Sequence, residues 1–250
     1  MMVFTLAGRE LRSLFLSPLA WAILAAVQAM MAYFFLWYLQ EFTELQPQLM
    51  LIENAPGITQ WVVMPLLATA AIVLLVVGPL LTMRLISEER RGQTLSLLMS
   101  APLSMSEIIL GKYLGILGFF LIMVAMIVLM PLSLLFGADL DLGMLAAGLL
   151  GLIMLLASFA AVGLFMSTLT NQPAVAAVST FGVLLMLWIA NLANTSTDKD
   201  SLLSYLSILH HYQPMMKGVI NSGDIAYYAL FIATFLALSV RRLDAQRLQS

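Results

Sequence analysis

The sequence predicts an all-α membrane protein with six transmembrane helices. Three observations carry that reading: an excess of apolar residues, six long runs without a formal charge, and a one-sided placement of the basic residues. Hydrophobic residues make up 62% of the chain and charged residues 10%, with a mean hydropathy of +1.00, whereas a soluble domain averages roughly 45–50% and 25%. No water-soluble fold buries that much apolar surface. A spanning helix needs about 20 apolar residues, so residues 1–250 are filled by one transmembrane domain of six spans and short loops.

The first element is a surface helix over 2–17. Val3, Phe4, Ala7, Leu11, Leu14 and Phe15 fall on one helical arc, with Thr5, Arg9 and Arg12 opposite, which is the pattern of an amphipathic helix lying on the cytoplasmic membrane surface. Span one follows at 20–40; its apolar stretch is longer than the core of a cleaved signal peptide, so it is expected to be retained. Spans two to five are 61–83, 113–136, 144–167 and 174–194, and span six, the shortest, is 225–240. Pro65, Pro79 and Pro131 lie within these runs and predict kinks or span ends, since neighbouring helices can re-satisfy the carbonyls that a proline frees. Gln28 and Asn191 are the notable polar residues at depth. Small residues at Gly111, Gly115 and Gly118, and at Gly148 and Gly151, predict close helix contacts within the chain.

Orientation follows from Lys and Arg, which stay on the cytoplasmic side of span ends. Arg9 and Arg12 precede span one; Arg84, Arg90, Arg91 and Lys112 lie between spans two and three; Arg241, Arg242 and Arg247 follow span six. The loops 41–60 and 137–143 contain none, and only Lys199 and Lys217 fall between spans five and six. Both termini are therefore expected in the cytoplasm. The acidic Glu41, Glu44, Glu53, Asp139 and Asp141 fall on the outer side, where they solvate span ends.

The loop 84–112 is punctuated. Span two continues into Ser87, Glu88, Glu89, Arg90 and Arg91, Gly92 permits a break, and Leu95, Leu98 and Met99 recur at the spacing of a short amphipathic helix. Ala101-Pro102 ends that helix, and Ser104-Met-Ser-Glu107 is a capping box opening the helix of span three. A short amphipathic helix flanked by charge suits docking into a groove on a soluble partner, and equally suits a helix lying on the membrane with its arginines at the headgroups.

On the outer side, residues 201–217 are too apolar for a solvated loop and too rich in Ser, His and Lys for a span, so a re-entrant or interfacial helical segment is expected before span six. His210, His211, Met215 and Met216 are the residue types that hold a soft metal such as Cu(I). Adjacent histidines point apart on a helix, however, and histidines at the interface with their polar edge near the headgroups are the reading adopted, with no metal assigned. Asp224 is expected to cap the last span.

Several function classes are excluded. The proposed spans contain no Asp, Glu, Lys, Arg or His, which argues against an ion-coupled carrier and against an intramembrane hydrolase. A phosphate-binding G-x-x-x-x-G-K-[ST] loop does not occur, since Gly111-Lys112 is followed by Tyr113, so any nucleotide must be bound by another chain. Cysteine is absent, which removes disulfides and thiolate metal sites, and the net charge of −2 gives no case for nucleic acid.

The string Ser-Glu-Glu-Arg-Arg-Gly-Gln-Thr-Leu-Ser-Leu-Leu-Met-Ser-Ala-Pro-Leu-Ser, from Ser87, followed by Glu107-Ile-Ile-Leu-Gly-Lys-Tyr, resembles the E-E-[RK]-x-x-G-T-[LI]-E-x-L-L-x-[ST]-x-P signature of type-2 ABC exporter permeases. Gln93 intervenes between Gly92 and Thr94, and Ser96 stands where that family commonly has a glutamate. Ala7-Gly-Arg-Glu-Leu-Arg-Ser-Leu-Phe-Leu-Ser-Pro-Leu-Ala-Trp and Lys217-Gly-Val-Ile-Asn-Ser-Gly-Asp-Ile-Ala-Tyr-Tyr are similar to the start and to the stretch before the last span of permeases serving gliding motility and nitrous-oxide reductase maturation. The resemblance implies a permease of the bacterial inner membrane that pairs with a second permease, the same or homologous, and with two copies of an ABC ATPase. Under it the chain holds no cofactor, ATP and Mg²⁺ belong to the partner, and an extracytoplasmic accessory subunit is a further partner besides lipid. The coupling residues it implies are Glu88, Glu89, Arg90 and Arg91 for docking, Gly92 and Thr94 at the turn, and Leu95, Leu98 and Met99 in an apolar groove. The alternative is a non-transporting scaffold that anchors an ATPase and an extracytoplasmic partner.

Overall fold

The computed structural model describes residues 2–49, 51, 56–93, 104–190 and 205–247, and every regular element among them is helical. In chain order these are α1 (Met2–Leu16), α2 (Pro18–Leu49), α3 (Met64–Thr82), α4 (Arg84–Arg91), α5 (Met105–Leu132), α6 (Leu142–Leu169), α7 (Pro173–Ile189), α8 (Ile208–Met216) and α9 (Ser222–Arg247). A π-helical turn, Thr59–Val63, leads into α3, and a 3-10 turn, Ser133–Phe136, follows α5. The prolines mark ends, as their missing N–H dictates. Pro65 opens α3, Pro131 lies at the end of α5, and Pro79 is followed by a turn at Met83 that separates α3 from α4.

Five helical stretches among the described residues are long and apolar enough to cross a membrane: Pro18–Leu49, Thr59–Arg91, Met105–Phe136, Leu142–Leu169 and Ser222–Gln246. The expected span 174–194 corresponds to α7, which has 17 described residues and falls short of the roughly 20 that a crossing takes; Asn191 lies outside the described residues. Span six, the shortest on paper, belongs to a 26-residue helix.

α6 is the central helix, with α3, α8 and α9 packed around it. Its small residues are the seats. A methyl group on Gly148 would stand 3.0 Å from Leu67 of α3, and one on Gly151 3.0 Å from both Tyr212 and Met215 of α8. One on Gly163 would fall 2.5 Å from Thr82 Cβ, so α3 and α6 touch there almost backbone to backbone. The polar groups at depth are satisfied: Gln28 Nε2 donates to the Met123 carbonyl at 3.1 Å, and Tyr113 to that of Ala157 at 3.2 Å.

The elements sort to two ends of the bundle. α1, α4 and the start of α5 gather at one end of the bundle. The C-terminal part of α9 arrives there too, since Arg90 of α4 reaches Gln246, and so does the approach to α7, since Arg90 Nη1 donates to Asn171 at 3.3 Å. α8 and the start of α9 sit at the far end, beside the beginnings of α3 and α6: Tyr212 donates to the Leu67 carbonyl at 3.2 Å, and a Cβ on Gly218 would meet Met144 at 3.6 Å. Gly151 lies nine residues after Leu142, which at 1.5 Å per residue places α8 about 13 Å down α6 from its start.

Two sequence expectations are corrected here. Asp224 lies inside the first turn of α9 instead of capping it, and its carboxylate turns to His211 at 2.7 Å. The buried stripe of α1 is rotated: Val3, Leu6, Ala7, Glu10, Leu11 and Leu14 are half-buried, while Phe4 is 76% exposed. The stripe turns because α1 packs on the glycines of α5, where a narrow surface selects Ala7 and brings Glu10 inward.

Candidate functional site

The candidate site is the junction of α4 with α1, α5, α6 and α9. α4 is short because the chain breaks on either side of it. Met83 interrupts the ladder after Pro79, and after Arg91 the amide of Gly92 returns to Glu88 at 2.8 Å and that of Gln93 to Arg90 at 3.2 Å. The residue that takes the left-handed conformation is Gln93, at φ 54°, while Gly92 stays at φ −79°. The inserted glutamine, and not the glycine, makes the turn.

Ser167 of α6 mends the break at Met83. Its hydroxyl accepts from the amides of Ile86 and Ser87, both at 3.0 Å, and donates to the Met83 carbonyl at 3.1 Å. Helix-start amides with no intrahelical partner are thereby satisfied in a fully buried place. Leu85, Ile86 and Ser87 form the buried face of α4, so the element is fixed to the bundle on that side and presents charge on the other.

Of the charged residues expected to dock a partner, Glu88 and Arg91 are exposed, and Gly92 with them. Glu89 and Arg90 turn inward. Glu89 Oε1 lies 2.7 Å from Lys112 Nζ, and the same ammonium is 2.8 Å from Glu10 Oε1. Arg90 is held by Asn171 and Gln246; burial, then the nearby Arg242, lower it from the ordinary guanidinium value. Thr94, Leu95, Leu98 and Met99 lie outside the described residues.

Lys112 is the residue that sequence reasoning missed. Read as an ordinary basic flank of span three, it is 1% exposed, and a buried ammonium is tolerable only where carboxylates compensate it. The compensation comes from two different elements, α1 and α4, so one cation on α5 joins all three. The glycines make room for this. A Cβ on Gly111 would stand 2.7 Å from Leu6, and one on Gly115 2.7 Å from Glu10 Cβ and 3.2 Å from the Ala7 carbonyl. Gly118 lies under Leu11 and Phe119 beside the Phe15 ring, 5.3 Å between centroids. The legible signal was Glu10 itself, a carboxylate between Ala7 and Leu14 on an otherwise apolar arc. A cavity of about 470 Å³ opens beside the cluster, with Arg9, Arg84 and Glu88 on its charged wall and Leu19, Leu80 and Leu81 on its apolar one.

The capping box is present as expected: Ser104 Oγ accepts from the Glu107 amide at 3.3 Å, and Glu107 Oε2 accepts from the Ser104 amide at 3.0 Å. At the far end His210 is exposed, His211 is buried against Asp224 and Tyr205, and Met215 packs on Gly151. Among the described residues no three His, Cys, Asp or Glu converge as a metal site.

What this geometry can do is mechanical. α4 is tied by Ser167 to α6, by Lys112 to α5 and α1, and by Arg90 to α9. Residues 4–247 match the family model described as ABC-2 family transporter protein. No curated protein matches the chain.

Proposed function

The chain belongs to the ABC-2 family of transporter proteins, and on that premise we propose that it is the permease subunit that couples ATP hydrolysis in two partner ATPase chains to substrate movement. It is a multi-pass membrane component of an ABC transporter. The observation that carries the coupling reading is the Lys112 cluster, in which one buried cation ties α4 to α1 and α5. ATPase closure would move α4, and the cluster would carry that motion to the helices behind it. Glu88 and Arg91 are the charges available for docking, while Glu89 and Arg90 transmit within the permease. ATP and Mg²⁺ are held by the partner, a second permease completes the membrane unit, and an extracytoplasmic subunit is a further partner.

We assign six crossings with both ends in the cytoplasm of a bacterial cell. The support is parity. α1 and the C-terminal part of α9 share one end of the bundle, α7 begins at that end, and α8 stands at the other, which supports a crossing between Pro173 and Tyr205. The seating of α8 about 13 Å down α6 supports a re-entrant segment there.

The test separates docking from folding. Glu88→Lys in the purified complex should leave insertion and thermal midpoint unchanged and lower permease-stimulated ATP turnover at least about tenfold, the scale of an opposed interface charge. Unchanged turnover would refute the assignment of Glu88 to the interface.

A further inference from the structure

The far end of the molecule holds a second buried titratable group that the coupling reading does not use. His211 is 2% exposed and both of its ring nitrogens face acceptors. Nε2 lies 3.0 Å from the Tyr205 carbonyl, and Nδ1 lies 2.7 Å from Asp224 Oδ1. A carbonyl oxygen only accepts, so Nε2 carries a hydrogen, and a 2.7 Å contact between Nδ1 and a carboxylate needs a second one. The pair therefore holds two protons between its two side chains. Two features favour placing both on the ring. Tyr227 stacks on the imidazole with centroids 3.9 Å apart and planes 22° apart, an arrangement that attracts a cation. Asp224 lies in the first turn of α9, where the helix dipole favours an anion.

We propose that His211 and Asp224 form a buried proton-binding site, an imidazolium–carboxylate pair that latches α8 onto the first turn of α9. The titratable groups around it are few. His210 and Tyr212 flank it on α8, Tyr205 meets the ring edge-on at 5.1 Å, and Tyr227 and Tyr228 come from α9; α6 and α7, which also pack against α8, carry no ionisable residue. Asp224 Oδ2 is buried without a hydrogen bond, and His211 is the carboxylate's sole ion-pair partner among the described residues. Removing a proton from the ring sets a lone pair against an acceptor. The His211–Asp224 contact then turns from attraction to repulsion, while the Tyr228 hydroxyl still donates to the Ile208 carbonyl at 2.9 Å and Tyr212 still holds the other side of α8 to α3. The site stands on side-chain geometry alone and does not depend on the ATPase coupling proposed above.

The chain has two histidines and no cysteine, which suits two measurements on the whole protein. In nitrogen-15 spectra of histidine-labelled protein, exposed His210 serves as the internal reference. At the pH where His210 shows one protonated nitrogen, His211 should show two; a His211 ring with a bare Nδ1 at that pH overturns the proposal. The latch is read from single cysteines at Ile208, which is 1% exposed, at Leu243, buried at the opposite end, and at Val219, which is 51% exposed. In Asp224→Ala, maleimide labelling of Ile208→Cys relative to Val219→Cys should rise at least about tenfold, as loss of one charge-assisted hydrogen bond implies for a local opening, with Leu243→Cys still protected. An unchanged ratio, or an equal rise at position 243, overturns the latch.

Discussion

Replacing Lys112 by Met tests the three-way junction most directly. The substitution keeps the length and apolar stem of the side chain and deletes its charge. Glu10 and Glu89 are then left facing one another with side chains only 14% and 23% exposed. Deleting one partner of a buried pair costs about 3–5 kcal/mol, because the survivor keeps its desolvation without its counter-charge. Here the glutamates retain some solvent, which sets the expectation at the lower bound, about 3 kcal/mol. For a chain of this length that is a fall in thermal midpoint of roughly 6–12 °C. The assay is the detergent-solubilised protein followed by tryptophan fluorescence, with the triple variant Lys112→Met, Glu10→Gln, Glu89→Gln as the decisive control. Removing all three charges also removes the two carboxylate charges beside position 112, so the triple variant should recover most of the loss. A Lys112→Met midpoint within about 2 °C of the parent, or a triple variant no better than the single one, would refute the view that this cation organises the junction, given the scale of about 2–4 °C per kcal/mol.

Three further outcomes follow from close contacts. Gly163→Ala should cost at least about 3 kcal/mol, the upper range for overpacking, and Thr82→Gly should rescue it in the same thermal assay because Thr82 is the side chain it meets. Ser167→Ala strands the amides of Ile86 and Ser87 and should cost about 1–3 kcal/mol, with hydrogen exchange accelerated at α4 before any other helix. Gly115→Val should push α1 off α5 and open the α1–α2 elbow to limited proteolysis, whereas Gly8→Ala, with nothing within 4 Å of the added carbon, should leave it intact.

The sequence was legible wherever one element answers to its own residues. Hydropathy placed the helices, the prolines placed their ends, and Ser104 with Glu107 named the cap of α5, because these depend on interactions within a few residues of chain. The glycines on α5 and α6 announced close contacts within the chain, and both sets make them. What could not be read was the identity of the partner. Glu88 and Glu89 are neighbours of equal chemistry, yet a 100° step around α4 leaves one in solvent and turns the other onto Lys112. The same step separates His210 from His211. Asp224 has the position of a helix cap and serves instead as a counter-ion, since a buried imidazole thirteen residues earlier outcompetes the local amides.

By itself, then, the sequence determined that the chain crosses a membrane several times with most of its basic residues in the segments assigned to one side, because apolar area and charge are properties that each segment carries wherever it is placed. Only the tertiary structure decided which charges face outward and which are consumed inside. That choice rests on the burial of Lys112 and His211, and burial is created by helices that meet from distant parts of the chain: Glu10 with Lys112, and Lys112 with Glu89. An ammonium in water needs no particular neighbour, but one enclosed by three helices requires its carboxylates, and that requirement exists only once the fold has formed.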